Sequence, residues 1–394
     1  MTVGTDIESS ARRKLILRDA LTFLSLTLLT AILFAITLFL FRSFASHRED
    51  LAKRWSDRGL AAISSGHPDQ AIIALRTALS YAPGERSYEL LLAQALGDAG
   101  HTDESYNYFL GLWETQPGDG LINLSLARLA ARKNDIQAAT NYYRASIYGT
   151  WEGDGTVRRR DVRLELARYM IAHHNLNDAR TEILVAGGNA PDDLALTLQL
   201  AQLLEQAGAP HDAFNYYKKI LVREPDNDAA LQAAGRLSYG FGDYEGAEHL
   251  LAEAGRIHLA RSSEIPPLSP ELQRMLNNSI AILALAPSKK LQPDERVARI
   301  LKARDLAKQR FESCNAQIAA ASGLTSPLQT LAARWAGNEA TAERSKLLHD
   351  TAEQDAVVQL IDDTETQTNQ ICGPPTGDDA LLLLIAQSAK GTDQ

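Results

Sequence analysis

The chain has 394 residues, 45% of them hydrophobic and 23% charged, with a formal net charge of −9. That apolar content excludes a chain too polar to bury a core, and the acidic sign argues against nucleic acid as a partner, which needs a basic footprint. Only 6% of residues are aromatic, and two cysteines, Cys314 and Cys372, are too few for a disulfide scaffold or a four-Cys zinc site.

Residues 1–19 form a short N-terminal tail. Residues 20–41 read ALTFLSLTLLTAILFAITLFLF, with no charge. As a helix this stretch spans about 33 Å, enough for a hydrocarbon core of about 30 Å. Its Ser and Thr hydroxyls can bond back to their own helix. A cleaved signal peptide has an apolar core of only about 7–15 residues, so the expectation is a retained single-pass transmembrane helix. Residues 1–43 hold five Lys/Arg against three acids, which leaves the rest of the chain 35 basic and 46 acidic residues, a charge of −11. Arg12, Arg13, Lys14 and Arg18 precede the apolar run, and Arg42, Arg48, Lys53 and Arg54 follow it. The positive-inside rule therefore ties. A short basic tail inside and a long domain on the extracytoplasmic side is the commoner arrangement and the one expected. Residues 42–51 are read as a linker.

Internal repetition decides the fold class. Six 34-residue blocks cover 52–261: 52–85, 86–119, 120–153, 160–193, 194–227 and 228–261, with 154–159 inserted between the third and fourth. The eighth position is small throughout (Gly59, Ala93, Ala127, Ala167, Ala201, Gly235). So is the twentieth (Ala71, Ser105, Ala139, Ala179, Ala213, Ala247). These two rows read as the seam of a helical hairpin. The twenty-fourth is bulky (Leu75, Phe109, Tyr143, Ile183, Tyr217, Leu251) and reads as filler between neighbouring hairpins. Gly66, Gly100, Asn134, His174, Gly208 and Gly242 stand where the first helix must end in the left-handed conformation. Pro83, Pro117, Pro191 and Pro225 end the second helix.

With Trp55, Gly59, Gly66, Ala71, Ala78 and Pro83 in the first block and GDYEGAEHLLAEA at 242–254, the pattern resembles the tetratricopeptide repeat. The resemblance implies an all-α solenoid of antiparallel hairpins in a right-handed superhelix, preceded by the transmembrane helix. Residues 262–269, with Pro266 and Pro267, read as a linker. Beyond them helices are expected near 270–286, 293–320, 326–337, 340–371 and 378–390. These form a C-terminal helical, repeat-like region, 270–394, ending in a capping helix. Cys314 and Cys372 fall late in two helices of this region. They can form one disulfide or remain two thiols; spacing alone leaves both open.

No phosphate loop, HExxH, GxSxG or CxxC motif is present. No catalytic residue, cofactor or metal is therefore expected, and the chain is not read as an enzyme. His67, His101, His211 and the pair His173–His174 fall at interhelical turns. The loops PGDG (117–120) and EGDGT (152–156) fall where turns between blocks are required. Trp151, beside the insertion, is read as packing over a repeat junction. In the aromatic pairs Tyr108–Phe109, Tyr142–Tyr143 and Tyr216–Tyr217, the second residue is core and the first partly buried.

The resemblance further implies a concave groove lined by the first helices. Carried over position by position, its candidate residues are Gln94, Arg128, Arg168, Gln202 and Arg236 at the ninth position, Arg132 at the thirteenth and Gln232 at the fifth. Three arginines on one wall of an acidic domain suit carboxylates, since guanidinium forks bind them bidentately. The expected partner is a protein or peptide with acidic groups or a free C-terminus. The competing reading is that these arginines pair with neighbours such as Asp161 and Glu165. The function expected is a membrane-tethered scaffold or adaptor, in envelope biogenesis or protein export. The alternatives are a structural homo-oligomer and an enzyme with its site in 270–394.

Overall fold

The computed structural model describes residues 4–188, 190–260, 267–321, 326–339 and 343–391. Among them are eighteen α-helices, and the sole β pairing is an isolated bridge between Asp119 and Thr150. The chain divides into two compact units, Met1–Leu166 and Ala167–Gln394.

The first unit holds α1 (Gly4–Ser64), α2 (Pro68–Tyr81), α3 (Arg86–Asp98), α4 (Thr102–Thr115), α5 (Gly120–Arg132), α6 (Ile136–Tyr148) and the first part of α7 (Gly155–Ala172). The expected linker at 42–51 is absent. Residues 42–51 contain neither Gly nor Pro, so nothing stops the helix. The apolar run and the first helix of the repeat array are one element of 61 residues. It contains a candidate membrane span by length and composition, with its apolar side chains outward.

The hairpins follow the 34-residue frame. Gly66, Gly100 and Asn134 in this unit, and His174, Gly208 and Gly242 in the second, all have φ between 57° and 84°. Behind each, an amide reaches back five residues to close the helix, as His67 N does to Ala62 O and His101 N to Leu96 O, both at 2.9 Å. At the seam, Ser105 Oγ donates to Ala93 O at 2.6 Å. The bulky row does more than fill the gap between hairpins. A Cβ on Gly59 would lie 2.6 Å from Leu75 Cγ, so Leu75 also closes its own hairpin. Its other side packs with Leu92 and Leu96 of the next. The inserted residues make no separate loop: α7 absorbs most of them and reaches 18 residues, against 13 for α3 and α5.

The second unit continues with α8 (Leu176–Gly188), α9 (Leu194–Gln206), α10 (Pro210–Arg223), α11 (Asp228–Gly240) and α12 (Tyr244–Ala260). Residues 261–266, the last of the sixth block and the first five of the expected linker 262–269, lie outside the described residues. Then come α13 (Pro270–Leu285), α14 (Pro293–Ala321), α15 (Ser326–Glu339), α16 (Arg344–Leu347), α17 (Thr351–Cys372) and α18 (Asp378–Gly391). The helix expected over 340–371 is broken, because Asp350 caps a new one by accepting from Ala352 N and Glu353 N. α14 packs chiefly along α17, and the two run parallel. Arg296 meets Asp355 near their starts, at 2.8 Å, and Cys314 is bonded to Cys372 at their ends, with Cα atoms 5.8 Å apart. Val297, Ile300, Phe311, Trp335, Val357, Leu360 and Leu382 form the core there. α18 returns to the last repeat: Tyr244 Oη donates to Leu384 O at 3.4 Å.

Candidate groove site

Within each unit, the first helix of each hairpin carries its candidate positions at equivalent places, because successive blocks repeat in register. In the first unit this brings Gln94, Arg128 and Arg132 to one pocket between α3 and α5, about 230 Å³ in volume. Asp98, Ser125 and Leu121 complete its rim, and Ser105 and Phe109 its floor.

Both arginines have partners. Arg128 forks onto Glu165 of α7, Nε to Oε1 at 2.8 Å and Nη2 to Oε2 at 2.7 Å. Those bonds hold its guanidinium above its ordinary pKa, against the opposing effect of burial. Tyr143 Oη donates to the same Glu165 Oε1 at 2.9 Å. Arg132 Nη1 donates to Gly97 O, the carbonyl of the facing helix. The pairing with Glu165 weighed from the sequence is thus present, whereas Asp161 takes Arg160 instead, at 3.5 Å. The arginines are fixed in place yet open to solvent: the Arg128 side chain is 52% exposed.

The second unit repeats the arrangement with other positions. Arg236 pairs with Glu205, and Tyr217 Oη donates to Glu205 Oε1 at 2.6 Å. Burial first, then that hydrogen bond, raise the Tyr217 pKa. Gln232 is drawn into a polar cluster, Nε2 to Asp228 Oδ2 at 2.8 Å, with the buried His258 2.6 Å from Asp228 Oδ1. Gln202 and Arg168 are exposed; Arg168 lies on the second unit's portion of α7.

The tyrosine hydroxyls went unread in the sequence. The twenty-fourth position holds Tyr143 and Tyr217 but also Phe109, so it reads as core. The available signal was an acid on an adjacent first helix, Glu165 or Glu205. His258 was missed because it lies beyond the interhelical turns.

The remaining candidates resolve into structure. Asp119 caps α5, accepting from Leu121 N at 2.9 Å and Ile122 N at 3.0 Å. Asp154 caps α7 through Thr156 N at 3.0 Å. Trp151 donates from Nε1 to Ser146 O at 3.0 Å and lies against Gly120, where any Cβ would strike its ring. Tyr108, Tyr142 and Tyr216 are half-buried. Among the described residues, no group of three His, Cys, Asp or Glu side chains is arranged to hold a metal ion.

A family model described as "Tetratricopeptide repeat" matches residues 204–262. The chain is 26% identical over 204 residues to cellulose synthase operon protein C of Xanthomonas axonopodis pv. citri (strain 306). That match covers 50% of this chain and 13% of the relative, so this chain spans a small fraction of that protein's length. Among solved structures, PilW, described as a widely conserved type IV pilus biogenesis factor, is 17% identical with a TM-score of 0.38, covering 57% of this chain and 98% of its own. The C-terminal part of a TPR repeat-containing protein from Cytophaga hutchinsonii is 12% identical with a TM-score of 0.44, covering 62% and 93%.

Proposed function

We propose that this chain, a tetratricopeptide-repeat protein, is a membrane-tethered scaffold that holds a peptide or protein partner along the inner face of its first helices. The observation that carries this reading is the α3–α5 pocket, where Gln94, Arg128 and Arg132 of successive repeats converge. Glu165 and Tyr143 hold Arg128 in a fixed orientation, which lowers the ordering cost of binding. Two of its guanidinium nitrogens serve Glu165, so a partner carboxylate would approach the third or displace Glu165. A free C-terminus or an acidic side chain meets that requirement.

α1 supplies the tether, and the extracytoplasmic side remains the favoured location for the repeats. Envelope assembly or protein export is the setting that a tethered scaffold of this build fits.

Photo-crosslinkers at Ser125 and Gln94, activated in native membranes and read by mass spectrometry, should capture a defined partner. Arg128→Glu should abolish that capture. Capture undiminished by the reversal would sink the groove reading, while capture of a second copy of this chain would favour a homo-oligomer.

A further inference from the structure

The single unbroken helix α1 fixes more than attachment; it also sets the height of the first hairpin above the membrane. From Phe41, the last residue of the apolar run, to Arg48 is about 10 Å along a helix, and to Ser64 about 34 Å. α2 runs back antiparallel beside α1, towards the apolar run. Its end is pinned there, because Arg48 Nη2 donates to Tyr81 O at 2.6 Å. The corner that follows, Ala82–Pro83–Gly84, therefore comes level with Ala45–Arg48, about 6–10 Å beyond Phe41. The headgroup layer on each side of a bilayer is about 5–8 Å deep.

The side chains at this level suit that layer. Phe41 and Phe44 are 70% and 64% exposed on α1, apolar surface that the edge of the hydrocarbon core would cover. Arg42 is exposed and Arg48 half-buried against α2, and both can reach lipid phosphates. The corner itself presents the exposed Pro83 and Gly84, just ahead of the exposed Glu85 that precedes α3. Ala45 is half-buried, and the Arg48–Tyr81 bond holds the end of α2 to this part of the helix.

We propose that the Ala82–Gly84 corner, with Arg42, Phe44 and Arg48, is a lipid-contact surface on which the first hairpin stands in the headgroup layer. The repeat array then begins at the bilayer surface with no spacer. This rests on reading α1 as a retained membrane span. Its occupant is the phospholipid surface of the membrane that α1 crosses.

The test uses the full chain in nanodiscs of phosphatidylcholine and phosphatidylglycerol with a trace of nickel-chelating lipid. Both native cysteines are bonded to each other, so an introduced cysteine is the single site for a nitroxide label. Three variants are compared: Thr30→Cys in the apolar run, Pro83→Cys at the corner, and His67→Cys at the far end of the hairpin. The headgroup nickel should relax the Pro83→Cys label several-fold more than the His67→Cys label, while dissolved oxygen relaxes the Thr30→Cys label as it does a lipid-embedded one. Equal nickel relaxation at Pro83→Cys and His67→Cys, with Thr30→Cys in lipid, overturns the contact surface and leaves the anchor standing. A water-accessible Thr30→Cys label overturns the anchor and the contact surface together.

Discussion

Glu365 on α17 is buried, and neither carboxylate oxygen has a hydrogen-bond partner among the described residues. Burial, then the charge of Asp379, pushes its pKa up to about 8; the Arg310 guanidinium opposes this without prevailing. The folded chain therefore keeps a proton that the unfolded chain releases near the ordinary glutamate value of about 4.3. Stability from this group is fully present below that lower value and is lost as pH rises through about 8, at up to about 1.4 kcal/mol per pH unit in between. Glu365→Gln should flatten that slope and raise the denaturation midpoint at pH 8 over wild type, with little change at pH 4. Denaturant melts across this range read the effect directly. A second residue-scale expectation concerns the turns. His174 adopts φ 58°, in the same role glycine takes in four other hairpins. An L side chain there costs about 1–2 kcal/mol, part of which glycine would return as unfolded-state entropy. His174→Gly should stabilise by about 0.5–1 kcal/mol. Gly100→Ala should do the reverse: a Cβ there meets nothing within 4 Å, so its cost isolates the backbone.

Among the elements, α14 and α17 hold the C-terminal region together. The Cys314–Cys372 bond closes a loop of 58 residues. Loop-closure entropy gives it a stabilising effect of about 4 kcal/mol. Cys314→Ala with Cys372→Ala, or simple reduction, should lower the melting midpoint accordingly, and a non-reducing gel should show the faster-running bonded form. This pairing was not visible in the repeat pattern, since it joins helices that share no frame and depends on a core assembled far apart in sequence. The hairpins were visible because their determinants are local: a small residue at the seam and a left-handed turn recur every 34 residues. The continuity of α1 through 42–51 is hard to see in the sequence for the opposite reason. A polar stretch without Gly or Pro reads as a break by composition, yet its helix propensity lets α1 continue. At the site, Gln94, Arg128 and Arg132 could be placed from the frame alone. The Tyr143 hydroxyl could not, because the same row accepts phenylalanine. The Trp151 junction gives the sharpest element-scale expectation: Gly120→Ala would drive a methyl into the indole ring, and should cost about 1–3 kcal/mol, seen as a lower melting midpoint.

At the scale of the whole molecule, repeat stacking predicts how far such damage travels. Each hairpin contacts its sequence neighbours, so stability approximates a sum of local and nearest-neighbour contributions. α3 packs chiefly on α2 and α4, and α5 on α4 and α6, with Arg132 and Arg128 reaching from α5 to α3 and α7. Gly120→Ala weakens the α5–α6 hairpin at its entry, so its effect should decay within one hairpin on either side. The disulfide acts on a different core, where α14, α17 and α18 meet. Hydrogen exchange on the intact chain separates the two cases. Gly120→Ala should speed exchange in α4–α6 and leave α14 and α17 at wild-type rates. Cys314→Ala with Cys372→Ala should do the converse, opening α14 and α17 while α3–α6 keep their protection. If either change accelerated exchange evenly from α2 to α18, the chain would be folding as one cooperative block, and the nearest-neighbour description would have to be abandoned.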